Sequence, residues 1–407
     1  MLPYRVLIKN FSYLSSLQVI ALLIPVMTYP YLIRVLGSET YGLVLYAQAV
    51  VSYLTILVSF GFNVSATKEI AVNRHNKEKI SEIVSAVLIV KGLLTLISFV
   101  ILLLLLFIFP KFNDHKLLYL LTFSVCINDF LFPIWYFQGM ERMKHITYGT
   151  VLSKLSFLVL MFFLINEQED YLFVPVLTGI GALLSSGYAL YFIFIKDQVK
   201  FKFQSPANLL YYTKDSFLFF TTSVSITIYS NATRIIIGSS LSLTDLSYYD
   251  LADKVVSLAK LPFTIIGQTV LPRIAYDKNK TFIRRLSRTI FILSIAAFLI
   301  TLLLSKQLVL ILAGPGMIAS AVFLNILAIG LLPAMYKYIG LQVLATWGYV
   351  AYFFRISLVM LLTFTLIMII LAATRQLSLY TITTTNVAVE LAGALYYYYI
   401  IKKHTIL

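Results

Sequence analysis

Charge is scarce in this chain. Only 12% of its 407 residues are Asp, Glu, Lys or Arg, while 60% are hydrophobic. Soluble domains carry about 25% charged residues, so the composition excludes an ordinary soluble enzyme and places the chain among membrane proteins. Cysteine is almost absent: the single Cys126 rules out an intramolecular disulfide framework and lies in an apolar stretch. Histidine is nearly as rare, and His75, His115, His145 and His404 show no metal-ligand spacing, so no metal is predicted. No polar stretch is long enough for a separate catalytic domain. No phosphate-cradling glycine loop follows a strand and no nucleophile–base spacing appears, which argues against catalysis and against ATP hydrolysis within the chain. The acidic run Glu167-Gln-Glu169-Asp170 occupies a short loop and reads as solvated charge.

What is present is a succession of apolar runs, each long enough to cross a bilayer, which takes about 20 residues. They predict an all-α integral membrane protein with twelve transmembrane helices, near 11–33, 41–66, 81–109, 117–138, 145–165, 172–195, 215–237, 247–271, 289–312, 317–345, 350–372 and 377–401. The first run is too long for a signal-peptide core and has no small-residue cleavage pattern after it, so it reads as a retained helix. Pro25, Pro30, Pro133, Pro175, Pro262 and Pro333 interrupt several runs. Membrane helices tolerate this because neighbours or water satisfy the freed carbonyls, and kinks are predicted there.

The net charge of +15 would suit a nucleic-acid partner, but it is scattered over short loops, and the positive-inside rule explains it more simply. With the N-terminus in the cytoplasm, cytoplasmic segments hold 20 Lys/Arg; the opposite loops hold five, namely Arg34, Lys111, Lys116, Lys306 and Arg375. Both termini are therefore predicted cytoplasmic, with membrane lipids as neighbours and no nucleic acid. The long basic connection from Lys196 to Lys214 divides the chain into two six-helix bundles, 1–200 and 201–407. A faint repeat supports that division. Arg34-Val-Leu-Gly37 precedes a Tyr-rich span ending at Gly61, and Arg234-Ile-Ile-Ile-Gly238 precedes another ending at Gly267. Same-facing repeats of six spans are a known transporter plan.

Seven basic side chains fall inside predicted spans: Lys91, Lys154, Arg234, Lys254, Lys260, Lys337 and Arg355. A cation near the centre of a lipid-spanning helix costs at least ~2.5–3.5 kcal/mol, so it faces a bundle interior or wet cavity and marks a pathway. Lys91 and Lys154 lie about 15 Å from the inner surface at helical rise, too deep for easy snorkelling, and Lys260 and Lys337 are comparably deep. Arg34, Arg234 and Arg355 lie near span ends, where interfacial anchoring is the plainer account and an outer gate at Arg34 the alternative. Embedded acids are fewer: Asp129, Asp250, Asp253 and Glu390, with Asp215 at a helix entrance. Asp250 and Lys254 are four apart and share a face, so they suit a mutual ion pair. Lys260 has no acid on its own helix within four residues, which makes it the stronger ligand candidate. Asp129 and Glu390 read either as proton or sodium sites, together with Asp250 and Asp253, or as structural partners of Lys91 and Lys337. Tyr396–Tyr399 suit an interfacial belt, and Tyr248 and Tyr249 offer rings for sugar stacking.

Several segments resemble the O-antigen (Wzx-type) flippases of the multidrug/oligosaccharidyl-lipid/polysaccharide (MOP) exporter superfamily. They are Pro30-Tyr-Leu-Ile-Arg-Val-Leu-Gly37 with Tyr41-Gly42, Gly61-Phe-Asn63, and Trp135-Tyr-Phe-Gln-Gly-Met-Glu-Arg142. Asp253-Lys-Val-Val-Ser-Leu-Ala-Lys260, Leu261-Pro262 and Leu271-Pro-Arg273 complete the set. The last four spans match mainly in length and hydropathy. The resemblance implies two six-helix bundles around a central cavity and alternating access in a bacterial inner membrane. It implies a polyprenyl-diphosphate-linked oligosaccharide as cargo, no cofactor beyond a coupling H+ or Na+ gradient, and polysaccharide polymerase and chain-length machinery as partners. Anion handling is carried onto Lys91, Lys154, Arg234, Lys254, Lys260 and Lys337. A flippase for peptidoglycan precursor or another polyprenyl-linked glycan fits the same features. An ion-coupled drug exporter of the related multidrug (MATE) branch fits the architecture but favours acidic cavities. A membrane enzyme such as an O-antigen polymerase calls for a substantial extracytoplasmic loop.

Overall fold

The computed structural model describes residues 4–277, 280–340, 343 and 350–403; within them, side chains are not described at 4–23, 26, 218, 222, 223, 225–230, 268, 269, 271–273, 275–277, 335–337, 350, 351, 353, 354 and 357. Every regular element among the described residues is helical. The chain divides into two compact units, Met1–Thr227 and Ile228–Leu407.

In the first unit, one long element, α1 (Tyr4–Ser59), covers the first two predicted spans. Its break falls at Gly37, with φ 75° and ψ 166°, a left-handed value that a side chain resists. A second break at Phe60 and Gly61 (φ 43° and 77°) leads into α2 (Phe62–Val72). There a Cβ on Gly61 would lie 2.7 Å from the Phe220 nitrogen, so only glycine lets the two backbones approach. Helix α3 (Lys77–Ile108) is capped by Asn76, whose side chain accepts from the Glu78 and Lys79 amides.

The predicted span 117–138 is not one helix. After the short α4 (Pro110–Asn113) it runs as α5 (Lys116–Thr122), α6 (Ser124–Leu131) and α7 (Ile134–Gly139). Pro133, which has no amide hydrogen to continue the ladder, separates the last two. Then come α8 (Met143–Leu164), α9 (Phe173–Tyr191) with a π turn at Phe192–Lys196, and α10 (Pro206–Ser240). The N-terminal half of α10 packs into the first unit: Tyr212 donates to Glu82 at 3.0 Å and Phe220 stacks on Phe60 at 4.6 Å. For that reason the units part at Thr227–Ile228, inside α10, rather than in the basic connection near 200.

The second unit holds α11 (Leu243–Asp277), α12 (Lys280–Ala313), α13 (Ser320–Ala328), α14 (Val350–Ala373) and α15 (Leu379–Lys403). The predicted span 317–345 is also broken, with a 3-10 turn at Ile329–Leu331 and a π turn at Met335–Gly340 on either side of Pro333. Helix α11 packs on α13, α14 on α15, and α13 bridges to α12 and α15.

Among the described residues, six stretches are long and apolar enough to cross a membrane: Met27–Val72, Lys77–Ile108, Lys116–Gly139, Met143–Leu164, Gln168–Lys196 and Lys280–Ala313. This is a multi-pass membrane protein. Helices α10 and α11, at 35 residues each, are about 52 Å long and overreach a hydrocarbon core of about 30 Å.

The segment Trp135–Arg142 closes one end of the first unit. Trp135, Tyr136 and Phe137 are fully buried against Phe62, Ile70, Ile83 and Val87. The Tyr136 hydroxyl donates to Asp197 at 2.8 Å, and Arg142 reaches the same carboxylate at 2.6 Å. Arg74 donates to Glu141 at 2.8 Å and to the Gly139 carbonyl at 3.2 Å. Three loops are thereby tied together. At Gly139 a Cβ would stand 2.6 Å from the Ile70 side chain. Gly139→Ala is expected to cost about 1–3 kcal/mol through overpacking, read as a lower melting temperature in detergent. Gly187→Ala, where nothing lies within 4 Å of the added carbon, is expected to be neutral or slightly stabilising in its helix.

Candidate functional site

The embedded charges form three described groups, one in the first unit and two in the second. In the first unit, Lys91 on α3 is 1% exposed and its Nζ lies 2.8 Å from Asp129 Oδ2 on α6. The approach to that oxygen is too oblique for a directed hydrogen bond, and the ammonium donates instead to the Asp129 backbone carbonyl. Because α6 is a short helix ended just before Pro133, its one carboxylate can be turned toward α3 independently of the rest of the span.

In the second unit, α10 and α11 form an antiparallel hairpin about Leu241 and Ser242. Ser242 and Asp245 cap the start of α11 reciprocally: the Asp245 amide donates to Ser242 Oγ at 3.0 Å, and the Ser242 hydroxyl to Asp245 at 2.7 Å. Residues equally far from the turn face one another, which sets Arg234 opposite Asp250. Arg234 Nε lies 3.2 Å from Asp250 Oδ1 and its Nη2 lies 2.7 Å from Asp253 Oδ2. Lys254, one turn along α11, lies 2.6 Å from the other Asp250 oxygen. Asp250 is 3% exposed between two cations.

The third group is Lys260 on α11 with Glu390 on α15, at 3.0 and 3.2 Å from the two carboxylate oxygens. Glu390 thus meets Lys260; the side chain of Lys337, its expected partner, lies outside the described residues. Gly330 makes room for the pair, since a Cβ there would lie 2.6 Å from Glu390 Oε2 and 3.5 Å from Lys260 Nζ. One turn away on α15, Asn386 donates to the Tyr249 hydroxyl at 2.7 Å. Tyr249 is buried and engaged there, so it offers no open face to a sugar.

The remaining candidates stand apart from these pairs. Lys154 is half-buried on α8 and has neither ion pair nor hydrogen bond among the described residues. Lys337 lies on the Met335–Gly340 turn, and its side chain is outside the described residues. Arg34 is exposed on α1, and Arg355 is exposed with its guanidinium 5.7 Å from the Tyr352 ring. No group of three metal-ligating side chains occurs among the described residues. Gly330 and Asn386 went unnoticed in the sequence; the Gly-Leu-Leu-Pro run at 330–333 signals a break but not a neighbour for Glu390.

Charge therefore balances within the described groups. Arg234, Lys254 and Lys260 face Asp250, Asp253 and Glu390, and Lys91 faces Asp129. Among the described deep cations, Lys154 carries the surplus.

Comparison with known proteins places the chain in context. A family model described as "Polysaccharide biosynthesis protein" matches residues 7–276. A protein of Escherichia coli (strain K12) named "Putative O-antigen transporter" is 28% identical over 355 residues, 86% of this chain and 86% of that protein. A protein of the same name from Shigella dysenteriae is 27% identical over 270 residues, 66% of this chain and 67% of that one. Among solved structures, the lipid II flippase MurJ in an inward closed conformation superposes with a TM-score of 0.78 at 17% identity, over 96% of this chain and 87% of that chain. An inward-facing MATE family transporter of the MOP superfamily gives 0.73 at 14% identity, over 93% and 95%. At these identities the two structures establish a shared fold.

Removing one member of a buried pair strands the other, at about 3–5 kcal/mol, whereas replacing both with apolar groups is often neutral. Lys91→Met is therefore expected to lower the melting temperature in detergent sharply. The double variant Lys91→Met/Asp129→Leu is expected to recover most of that loss. A double variant as unstable as the single one would mean that Lys91 is not held by Asp129.

Proposed function

The chain belongs to the polysaccharide biosynthesis protein family, and from that premise we propose that it is a flippase for lipid-linked polysaccharide units. Its cargo is a polyprenyl-diphosphate-linked O-antigen repeat unit, passed from the cytoplasmic to the periplasmic leaflet of a bacterial inner membrane. The observation that carries this reading is the similarity to a named O-antigen transporter along 86% of both chains. The MOP-superfamily fold agrees with it.

The chemistry is consistent. A diphosphate and a run of sugars need a hydrated cationic route, because an undressed charge in hydrocarbon is prohibitively costly. The polyprenyl tail stays in lipid throughout. Lys154 is the residue proposed to meet the phosphates directly, since no protein carboxylate among the described residues occupies its ammonium. Lys337 is proposed to share that role. Lys91, Arg234, Lys254 and Lys260 contribute by exchanging a carboxylate for cargo, and each exchange leaves Asp129, Asp250, Asp253 or Glu390 ready to take up H+ or Na+. Arg34 serves as an outer gate or anchor. Two bundles, parting within α10 rather than near residue 200, alternate access to the two leaflets, with twelve spans and both termini cytoplasmic. Polymerase and chain-length machinery accept the product on the far side.

Reconstitution with defined polyprenyl-diphosphate glycans, scoring which of them change leaflet, tests the cargo class. Transfer of an O-antigen unit is expected; transfer of a peptidoglycan precursor alone would move the assignment to that glycan. In cells, Lys154→Gln is expected to lower surface polysaccharide at least tenfold at unchanged protein abundance, with Lys154→Arg retaining most of it. Normal polysaccharide in Lys154→Gln would reject the phosphate contact.

A further inference from the structure

Several helices of the first unit break where they meet the packed end built on Trp135–Arg142. Helix α1 gives way to α2 at Phe60 and Gly61, α6 to α7 at Phe132 and Pro133, and α9 runs into its π turn at Phe192. Phe132 belongs to the core cluster around Trp135, and Phe60 and Phe192 pack against that same cluster, so the three breaks lie close together. Helix α8 starts there as well, just after Glu141, whose φ is 58°. Phe60 has φ 43°, a left-handed conformation that a bulky side chain resists and that persists only where its surroundings over-determine it. Here its ring is stacked on Phe220, and Gly61 is pressed against the α10 backbone.

Helix α3 differs. Its 32 residues run from the packed end without interruption. The first three turns are embedded there: Ile80, Ile83, Val84 and Val87 join the Trp135 cluster, the Lys200 amide donates to Ser81 Oγ at 3.1 Å, and Tyr212 donates to Glu82. Beyond Leu88 the helix stands apart. A gap of about 760 Å³ separates Gly92 and Leu96 from Phe130, Leu190 and Phe194, so side chains do not interlock along this stretch. The broken helices, by contrast, are tied to one another. Cys126 Sγ of α6 lies 3.4 Å from Thr55 Oγ1 of α1, and Asn128 accepts from Ser185 and Ser186 of α9 at 3.3 Å each. A Cβ at Gly181 of α9 would lie 2.6 Å from the Ser153 carbonyl of α8. Across the gap, Lys91 of α3 meets the Asp129 carboxylate of α6 at 2.8 Å and donates to its carbonyl. Farther along, Ser98 donates to the Leu54 carbonyl of α1 at 3.4 Å, near the limit of a hydrogen bond.

Helices that share a line of breaks, beside a loosely packed seam crossed by a buried ion pair, have the parts of a hinge and its latch. We propose that α6, α8, α9 and the part of α1 after Gly37 tilt together about Phe60–Gly61, Pro133, Glu141 and Phe192, while α3 stays with the packed end. The Lys91–Asp129 pair locks them in the position seen here. Each break supplies what bending requires. Phe60 and Gly61 are two consecutive left-handed residues whose angles can change, Pro133 has no amide hydrogen to restrain α6 against α7, and a π turn is a common site of local adjustment. The latch is charged and buried on its Lys91 side, so it holds firmly while intact and leaves chiefly apolar contacts when opened. The device operates whatever the cargo is, so it stands apart from the cargo reading.

Pulsed electron paramagnetic resonance on the full chain in lipid nanodiscs tests the device, with Cys126→Ser removing the native thiol and spin labels placed at exposed positions. Labels at Leu104 of α3 and Ile180 of α9 span the seam, whereas Leu104 and Lys68 of α2 both lie in the part held fixed. Ile180 is 12 residues from the break at Phe192, a lever of about 18 Å that reports a small tilt. In Lys91→Met/Asp129→Leu, which removes the charges and keeps the space filled, Leu104–Ile180 is expected to gain a second distance several ångströms from the first. Leu104–Lys68 is expected to keep one distance, which also shows that the chain is folded. Asp129→Asn, a loss of charge at constant shape, is expected to give the same second distance. Adding Pro133→Ala, which restores the missing amide, is expected to suppress it. An unchanged Leu104–Ile180 distance in both unlatched variants overturns the latch. A second distance that survives Pro133→Ala, or a matching change in Leu104–Lys68, overturns the hinge.

Discussion

An ammonium or guanidinium inside a membrane protein must bring its counter-charge with it, and much of this fold is arranged to satisfy that condition. The pairs differ in origin but share a device. Asp129 reaches Lys91 from a two-turn helix cut loose from its span by Pro133. Asp250 and Asp253 reach Arg234 across a hairpin whose turn is capped by Ser242 and Asp245. Glu390 reaches Lys260 beneath a glycine in a broken span. In two of the three cases irregular backbone lies beside the charge, where lining a polar site compensates for the lost ladder. Helix breaks and embedded charges are thus one feature of the chain.

At the end of the first unit defined by Trp135–Arg142, the same residue types do different work. Partly exposed pairs such as Arg74–Glu141 and Arg142–Asp197 contribute little stability individually, about 0–1 kcal/mol. Burial of Trp135, Tyr136 and Phe137 supplies the stability, and the pairs fix which loops meet. This end holds α2, α7 and the segment after α9 in fixed register.

The sequence made the membrane class, the family resemblance and the apolar spans legible, because each rests on composition or local order. Hydropathy windows pass smoothly over Phe123, Pro133 and Pro333, so two predicted spans emerged as single helices where the structure has several short ones. Pair partners were legible only where they are local. Lys254 and Asp250 sit one helical turn apart, and that spacing announces their contact. Lys260 and Glu390 are separated by 130 residues, and no periodicity links them. The excess of embedded bases over acids pointed to a cationic interior; two-to-one sharing, as at Asp250, was the part that counting could not reveal. Tyr249 illustrates the converse: a ring beside charged residues suggests a sugar platform, but Asn386 on another helix claims its hydroxyl.

Under the proposed function, charge balance constrains how an anionic cargo is handled. If a phosphate replaces Asp129 at Lys91, the carboxylate gives up an ion pair whose ammonium is 1% exposed, a loss comparable to breaking any buried pair. That exchange proceeds only if the carboxylate takes up a proton or a sodium ion as the phosphate arrives. Cargo entry and ion uptake are then linked, and linkage is reciprocal: whatever factor the ion contributes to cargo affinity, the cargo contributes to ion affinity. A phosphate resting on Lys154 displaces no described carboxylate and demands no ion. On that proposal, whether transport is driven or passive follows from which ammonium the cargo phosphate reaches.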